Sequence, residues 1–359
     1  MRTEWVVKDL QEAPIGKSFG WLNRWAESVI YDPRDVYIVR YIAKWMVVIP
    51  PFAALLFFKF HWLLAGAYLA TLFLVFVHTY TLGLHHTAHR TLFKKHRWMN
   101  QLIPGFMGPF MGQPPNGYYG HHIGMHHPEN NLPPDLSSTM KYERDNAFHW
   151  LRYFLRFFFF AMFEVGHYLW THKRKRLAVN AWLGEYVIFL GLVVATWFID
   201  WRASLTVFVV PYLIVRTAMM MGNWGQHAFV DATHPENPHL NSITCINNEY
   251  NRTGFNDGYH IGHHVKANRH WLEMPGDFLA NVEAYHRDGA IVFEGIDFFG
   301  VWANLMLRRY KKLASHYVCL DRKPKSEEEI IALLKLRTRP IVGWEPASET
   351  RPQTEPQTA

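Results

Sequence analysis

Apolar residues gather in four blocks separated by polar, histidine-rich stretches, and their lengths predict an all-α integral membrane protein. The first block runs from Trp45 to Phe58 between Lys44 and Lys59, whose long side chains can snorkel to the interfaces. Its Pro50–Pro51 pair predicts a kinked or broken helix. The second block, Trp62 to Leu84, carries no formal charge and meets the roughly 20-residue length of a span. A third, Tyr186 to Ile199, follows the basic run Lys173-Arg174-Lys175-Arg176. The short turn Asp200-Trp201-Arg202 leads into the fourth, Ala203 to Val215, which continues past Arg216 to Met221. Two hairpins are the economical topology for these spans.

Lys and Arg crowd 90–97, 141–156, 173–176 and 306–312 and are sparse near 59–61 and 200–202. The positive-inside rule then places both termini and every histidine cluster on the cytoplasmic side. Trp150–Trp170 has an aromatic core interrupted by Arg152, Arg156 and Glu164, and reads as a helix lying in the interface rather than a span. Residues 1–40 read as a polar cytoplasmic segment with an amphipathic stretch near Phe19–Ile30, 41–345 as the membrane domain with its cytoplasmic parts, and 346–359 as a disordered tail. The first residues show no short apolar core before a cleavage site, so no signal peptide is expected.

Composition narrows the class. Aromatic residues make up 16% of the chain, with 15 Trp and 17 Tyr, which suits a protein with two membrane interfaces. The mean hydropathy of −0.12 allows only part of the chain to lie in lipid. The net charge of +7 could suggest nucleic acid, but the basic residues flank apolar segments. An anionic membrane surface is therefore the expected partner, and nucleic acid is not. Two cysteines, Cys245 and Cys319, exclude a disulfide framework, a four-cysteine zinc site and an intrinsic iron–sulfur cluster. With 22 histidines in the chain, any metal is bound through imidazole.

Those histidines cluster. GLHHTAHR places His85 and His89 one turn apart on a helix, with His86 three residues from His89. YYGHHIGMHHPENN carries His121, His122, His126 and His127, a density that solvation or packing does not explain. His122 and His126 are one turn apart there, and His127 can serve a neighbouring metal. At the end of the fourth block Asn223 and His227 are four residues apart. In GYHIGHHVKANRHW, His260 and His263 share a helical face and His264 is angled away, so this set can divide ligands between two metals. A mononuclear zinc site needs three or four ligands, fewer than this constellation offers. Two metals held mostly by imidazole beside a bilayer point to oxygen chemistry on a membrane-soluble substrate. Carboxylates behind the rings should orient them and offset charge, with Asp231, Glu249 and Asp257 as candidates.

The pattern resembles the membrane fatty acid desaturase-like superfamily, whose boxes are matched by His85-x3-His89, His122-x3-His126-His127 and His260-x2-His263-His264. The match runs from the first hairpin to about Trp271. Asn223 and His227 look like the additional ligand segment of the acyl-CoA desaturases; by that resemblance His227 is a ninth ligand and Asn223 holds a metal-bound water. The resemblance implies a four-helix membrane domain under a cytoplasmic helical cap that carries two irons. It further implies O2 as co-substrate, hydrogen abstraction from an unactivated C–H bond, and a lipid or acyl substrate held in a narrow apolar tunnel. The chain lacks His-Pro-Gly-Gly, the mark of a fused cytochrome b5 domain, so a separate donor of cytochrome b5 or ferredoxin type is expected. His86 stands where many acyl-lipid desaturases carry aspartate, which leaves the substrate class open. The membrane is a bacterial inner membrane or the endoplasmic reticulum.

Acyl desaturation is the leading expectation. A hydroxylase, ketolase or acetylenase acting on lipid, sphingolipid or carotenoid keeps the same metal site and changes the outcome. A non-redox membrane zinc protein is the rival from another class; a transporter would place its ligands near the bilayer midplane, inside discontinuous spans. His61, His78, His96, His149, His167, His172, His234, His239, His270, His286 and His316 are expected to lie outside the metal site.

Overall fold

The structure, a computed structural model, describes residues 6–12, 20–320 and 324–345. The tail expected to be disordered lies outside them. The chain is mostly helical. An amphipathic helix α1 (Gly20–Val29) buries Ala26 and Val29 and leaves Trp21 and Trp25 exposed. Two long helices follow, α2 (Pro33–Phe58) and α3 (Trp62–His89). A loop region leads to the short helix α4 (117–129), then α5 (Ala147–Thr171). A second pair of long helices, α6 (Lys175–Trp197) and α7 (Trp201–Gln226), precedes the short helix α8 (His260–Val265) and the late helix α9 (Glu327–Arg337).

Helices α2, α3, α6 and α7 are long and apolar enough to cross a membrane. Each is longer than the apolar block that predicted it, because backbone hydrogen bonding continues into polar flanks that the hydropathy pattern does not count. The Pro50–Pro51 pair does not break α2. Each proline removes one donor, and the turns on either side keep theirs. Three of the four long helices contain a π segment: Leu72–Val77 in α3, Leu183–Phe189 in α6 and Leu205–Val209 in α7. Such segments take an extra residue into a turn and re-aim the side chains around it.

The structure is not entirely helical. Strands β1 (Ile243–Ile246) and β2 (Ile291–Glu294) form a small parallel sheet. All of β1 and most of β2 is buried, so neither shows the alternation by which a strand is read from sequence.

Glycines set how closely the elements meet. Gly112, at φ 74°, lies where a Cβ would come within 2.4 Å of the Pro211 carbonyl oxygen of α7, and a Cβ on Gly184 of α6 would lie 1.8 Å from that of Pro115. The loop around 112–116 is thus pressed between these two helices. Trp45 of α2 is fully buried and donates its indole N–H to Met111 Sδ at 3.1 Å.

A second organising residue is Arg144, fully buried just before α5. Its guanidinium donates to the carbonyls of Ala228 (3.0 Å), Met140 (3.0 Å), Tyr142 (3.2 Å), Arg337 (2.8 Å) and Arg339 (2.7 Å). It ties the end of α9 to the segment after α7. Helix α5 is continuous as expected; it buries Tyr153, Phe157, Ala161, Val165 and Leu169 and leaves Phe159, Phe160 and Phe163 exposed.

Candidate metal centre

Nine histidines meet where the C-terminal ends of α3 and α7 approach α4 and α8. They fall into two groups that could each hold a metal ion: His85, His89, His122, His127 and His263, and His126, His227, His260 and His264. Within each group the nearest ligand atoms all lie within 4.8 Å of one another.

Helix winding decides which ring goes where. His85 and His89 are one α turn apart on α3 and share a group, as the spacing predicts. In α4 the stretch His122–His126 is a π turn. A π turn closes over five residues rather than four, so His122 is matched with His127, and His126 turns to the other group. Sequence spacing had paired His122 with His126. In α8, an ordinary helix, His260 is matched with His264 and His263 crosses over, where the sequence reading had His260 and His263 on one face. The second and third clusters therefore exchange one histidine each.

The nitrogen contacts fit a bound cation. His85 Nε2 lies 2.8 Å from His263 Nε2, His263 Nε2 2.9 Å from His127 Nε2, His127 Nε2 3.1 Å from His122 Nε2, and His122 Nε2 3.0 Å from His89 Nε2. In the other group His264 Nε2 is 3.0 Å from His260 Nε2, which is 3.3 Å from His227 Nε2. One proton can bridge only one such pair, whereas two ligands at right angles on a metal, with bonds of about 2.1 Å, stand about 3 Å apart. The far side of several rings is fixed as well. His85 Nδ1 lies 2.6 Å from Asp257, His126 Nδ1 2.7 Å from Asp135, and His227 Nδ1 3.0 Å from the Asn241 carbonyl. Those acceptors hold the ring proton on Nδ1 and leave Nε2 as a lone pair turned inward.

Burial, and then the neighbouring histidines, hold His122, His127, His260, His263 and His264 well below the usual histidine range. Burial takes His227 down to about 3. Burial alone would raise Asp135; the His126 ring against it brings it down to about 2. The histidine shifts carry a sign for stability. A buried histidine whose folded value lies below its unfolded one, near 6.5, takes up its proton more readily when unfolded. Stability is full above about pH 6.5 and falls below it, by about 1.4 kcal/mol per pH unit for each ring that charges only on unfolding. Chelator-treated protein should melt at a clearly lower temperature at acid pH than at mildly alkaline pH; equal melting temperatures would contradict this reading.

Other sequence candidates fall differently. Asp257, besides meeting His85, accepts from Tyr250 OH at 2.6 Å. Asp231 stands apart, paired with Arg337 at 2.9 Å, and Glu249 is exposed and paired with Arg252 at 2.7 Å. Asp135 and Asn241 do the work expected of those two. Asp135 follows the second cluster in a proline-rich turn with no periodicity to mark it. Asp257→Asn or Asp135→Asn should weaken metal retention about 10- to 100-fold, measured as metal content against graded chelator. Unchanged retention would remove that carboxylate from the role.

His121 bonds to Ser137 Oγ at 3.1 Å and joins neither group, and burial takes it down to about 4. His86 faces away into a third cluster with Asp35 and His270. There His270 Nδ1 accepts from the Leu272 N–H at 3.1 Å, so its Nε2 carries the proton that Asp35 accepts at 3.1 Å. His270 is thus satisfied at both nitrogens and offers no free lone pair, while His86 Nε2 stands 3.3 Å from Asp35 without a hydrogen bond among the described residues. His78 lies outside both groups, 3.2 Å from the Tyr250 carbonyl oxygen. Asn223 donates from Nδ2 to the Tyr153 hydroxyl (2.7 Å) and the Ser137 carbonyl (3.1 Å), which leaves its Oδ1 for a further partner.

A cavity of about 330 Å³ borders the histidines. His85, His122, His126, His260 and Asn223 stand in its wall, and Phe73, Val77, Tyr212 and Val215 carry it between α3 and α7. The arrangement sets two nitrogen-rich groups that could hold cations against a mostly apolar chamber.

A family model described as fatty acid desaturase matches residues 59–293. No curated protein and no solved structure matches the chain.

Proposed function

The chain belongs to the fatty acid desaturase family, and on that premise we propose that it is an O2-dependent, di-iron membrane oxidase that introduces a double bond into a fatty acyl or other lipid alkyl chain. The observation that carries this reading is the convergence of nine histidines in groups of five and four at the wall of an apolar cavity between long apolar helices. One ion suits each group, with His85, His89, His122, His127 and His263 holding the first and His126, His227, His260 and His264 the second. Iron, when bound, supplies the redox chemistry that activates O2 and removes hydrogen from an unactivated carbon.

The chain's own residues do the rest. Asp257, Asp135 and Asn241 orient three of the rings and keep their protons on the outer nitrogen. Asn223, whose Nδ2 is spent on Tyr153 and Ser137, would use Oδ1 to hold a water in the cavity wall that it shares with His126 and His260. Phe73, Val77 and Val215 exclude water and keep an alkyl chain extended past the histidines, so that selection rests on positioning. In the overall reaction two hydrogens leave adjacent carbons and O2 is reduced to two waters. The two further electrons come one at a time from a separate donor of cytochrome b5 or ferredoxin type, and the two protons come from solvent. The histidine groups face the cytoplasm in a bacterial inner membrane or the endoplasmic reticulum.

Expression in a host of defined fatty acid profile, with mass spectrometry of its lipids, tests the reading. A product lighter than its precursor by two hydrogens supports desaturation; a product heavier by one oxygen, with no lighter one, makes the protein a hydroxylase. Full activity of a zinc-loaded, iron-free preparation would overturn the oxidase altogether.

A further inference from the structure

Inside the membrane-spanning part, the cavity wall carries a buried ion pair. Glu185 lies in the π segment of α6 and Arg216 in α7; their side chains are 10% and 8% exposed and meet at 2.8 Å through Nη1 and Oε1. Tyr212 OH donates to the same Oε1 at 2.7 Å, and Arg216 Nη1 also meets the Tyr212 oxygen. Phe157, Phe158 and Tyr212 present ring faces to the guanidinium. Among the described residues, however, Glu185 Oε2 and Arg216 Nε find no hydrogen-bond partner, although both atoms are buried.

Charges within membrane helices are costly and mark substrate or ion pathways. An interior pair gains little as a mere strut, since apolar packing does as well or better. Here one acceptor and one donor are left without partners on two residues that line the chamber that receives the substrate, although neither atom is itself exposed to it. Arg216 lies seven residues before Asn223 on the same helix, which puts the pair about 10 Å farther from the histidines along the helix axis. A plain hydrocarbon tail reaching that depth would leave both atoms unsatisfied.

We propose that Glu185 and Arg216 form a polar subsite for a substrate whose alkyl chain carries a hydroxyl group, which donates to Glu185 Oε2 and accepts from Arg216 Nε. The proposal rests on the reading of the cavity as the substrate chamber and names the substrate class within it: a hydroxylated lipid chain rather than an unsubstituted one.

Binding to the purified protein in detergent, measured by ligand-dependent thermal shift, tests it without turnover. The probes are a saturated fatty acid and a series of its monohydroxy derivatives with the hydroxyl moved along the chain. At least one hydroxylated chain should bind about tenfold or more tightly than the parent, since a hydrogen bond to a charged group is worth that much. In Glu185→Gln, which keeps the side chain's size, and in Arg216→Lys, which replaces Nε by a methylene and keeps the charge, the preference should shrink below about threefold. Equal binding of parent and hydroxylated chains by the native protein, or binding of neither, overturns the proposal. So does a preference that survives in both variants. If the hydroxylated chain is preferred but never oxidised by the iron-loaded, reduced protein, the subsite stands and the oxidase reading falls.

Discussion

His263→Ala is expected to abolish turnover, a loss of more than about a hundredfold and so beyond the 10- to 100-fold that outer partners of a metal site cost. His263 sits on α8 between two histidines of the other group, yet its Nε2 reaches His85 at 2.8 Å and His127 at 2.9 Å. It is the only contribution of α8 to the group of five. The alanine variant keeps His126, His227, His260 and His264 together, so it should retain about half of the native metal rather than none. Membrane insertion and a monodisperse profile in detergent should be unchanged, because the ring contacts other imidazoles and not the apolar core. His234→Ala, with a side chain 67% exposed, is the matched control and should behave as native protein. Metal content and product formation, measured on both variants, decide the matter. Near-native turnover in His263→Ala would take His263 out of the metal site.

Arg144→Met is expected to produce the largest loss of stability, at least about 3–5 kcal/mol. The side chain is fully buried and spends its donors on backbone carbonyls from three separate stretches of chain, including Ala228 next to His227. Methionine fills the volume and leaves those carbonyls without donors, which costs more than the hydrogen bonds themselves were worth. The melting temperature should drop by roughly 4–7 °C. Arg144→Lys should recover little, because a lysine ammonium cannot span carbonyls that the planar fork reaches from both sides. A methionine variant melting within about 2 °C of the native protein would show that the carbonyls find other donors.

Much of this architecture was legible in the chain, and the gaps have physical causes. The second block alone has the apolar length of a span; the other three are shorter and read as spans through their pairing into hairpins. The histidine clusters follow from density, since few forces other than a metal collect four imidazoles in seven residues. His85 and His89 could be matched because an ordinary helix repeats every four residues. The division of the second cluster could not, because hydrophobic periodicity does not reveal a π turn such as that at His122–His126. In α8 the ordinary four-residue repeat pairs His260 with His264, whereas the expected pairing of His260 with His263 follows the three-residue spacing instead. Asp135 and Asn241 escaped for a related reason. Asp135 reaches its histidine from a turn and Asn241 from the end of the one-turn helix Pro238–Asn241, both too short for sequence separation to carry a direction. His86, three residues from His89, stays open as a further ligand by spacing, but it groups with Asp35 and His270 instead.

The π turn of α4 also bears on how such a chain can change over time. His122 and His127 stand five residues apart and His260 and His264 four, yet each pair closes one turn of its own helix. The quantity to be kept is the turn, and the residue count can drift. An inserted residue that is taken up as a wider turn leaves both imidazoles aimed where they were, whereas the same insertion in a helix that keeps its winding swings every later ring by about 100°. Lineages are thus free to differ by one residue within such a cluster, and a search that demands a fixed spacing will miss some of them.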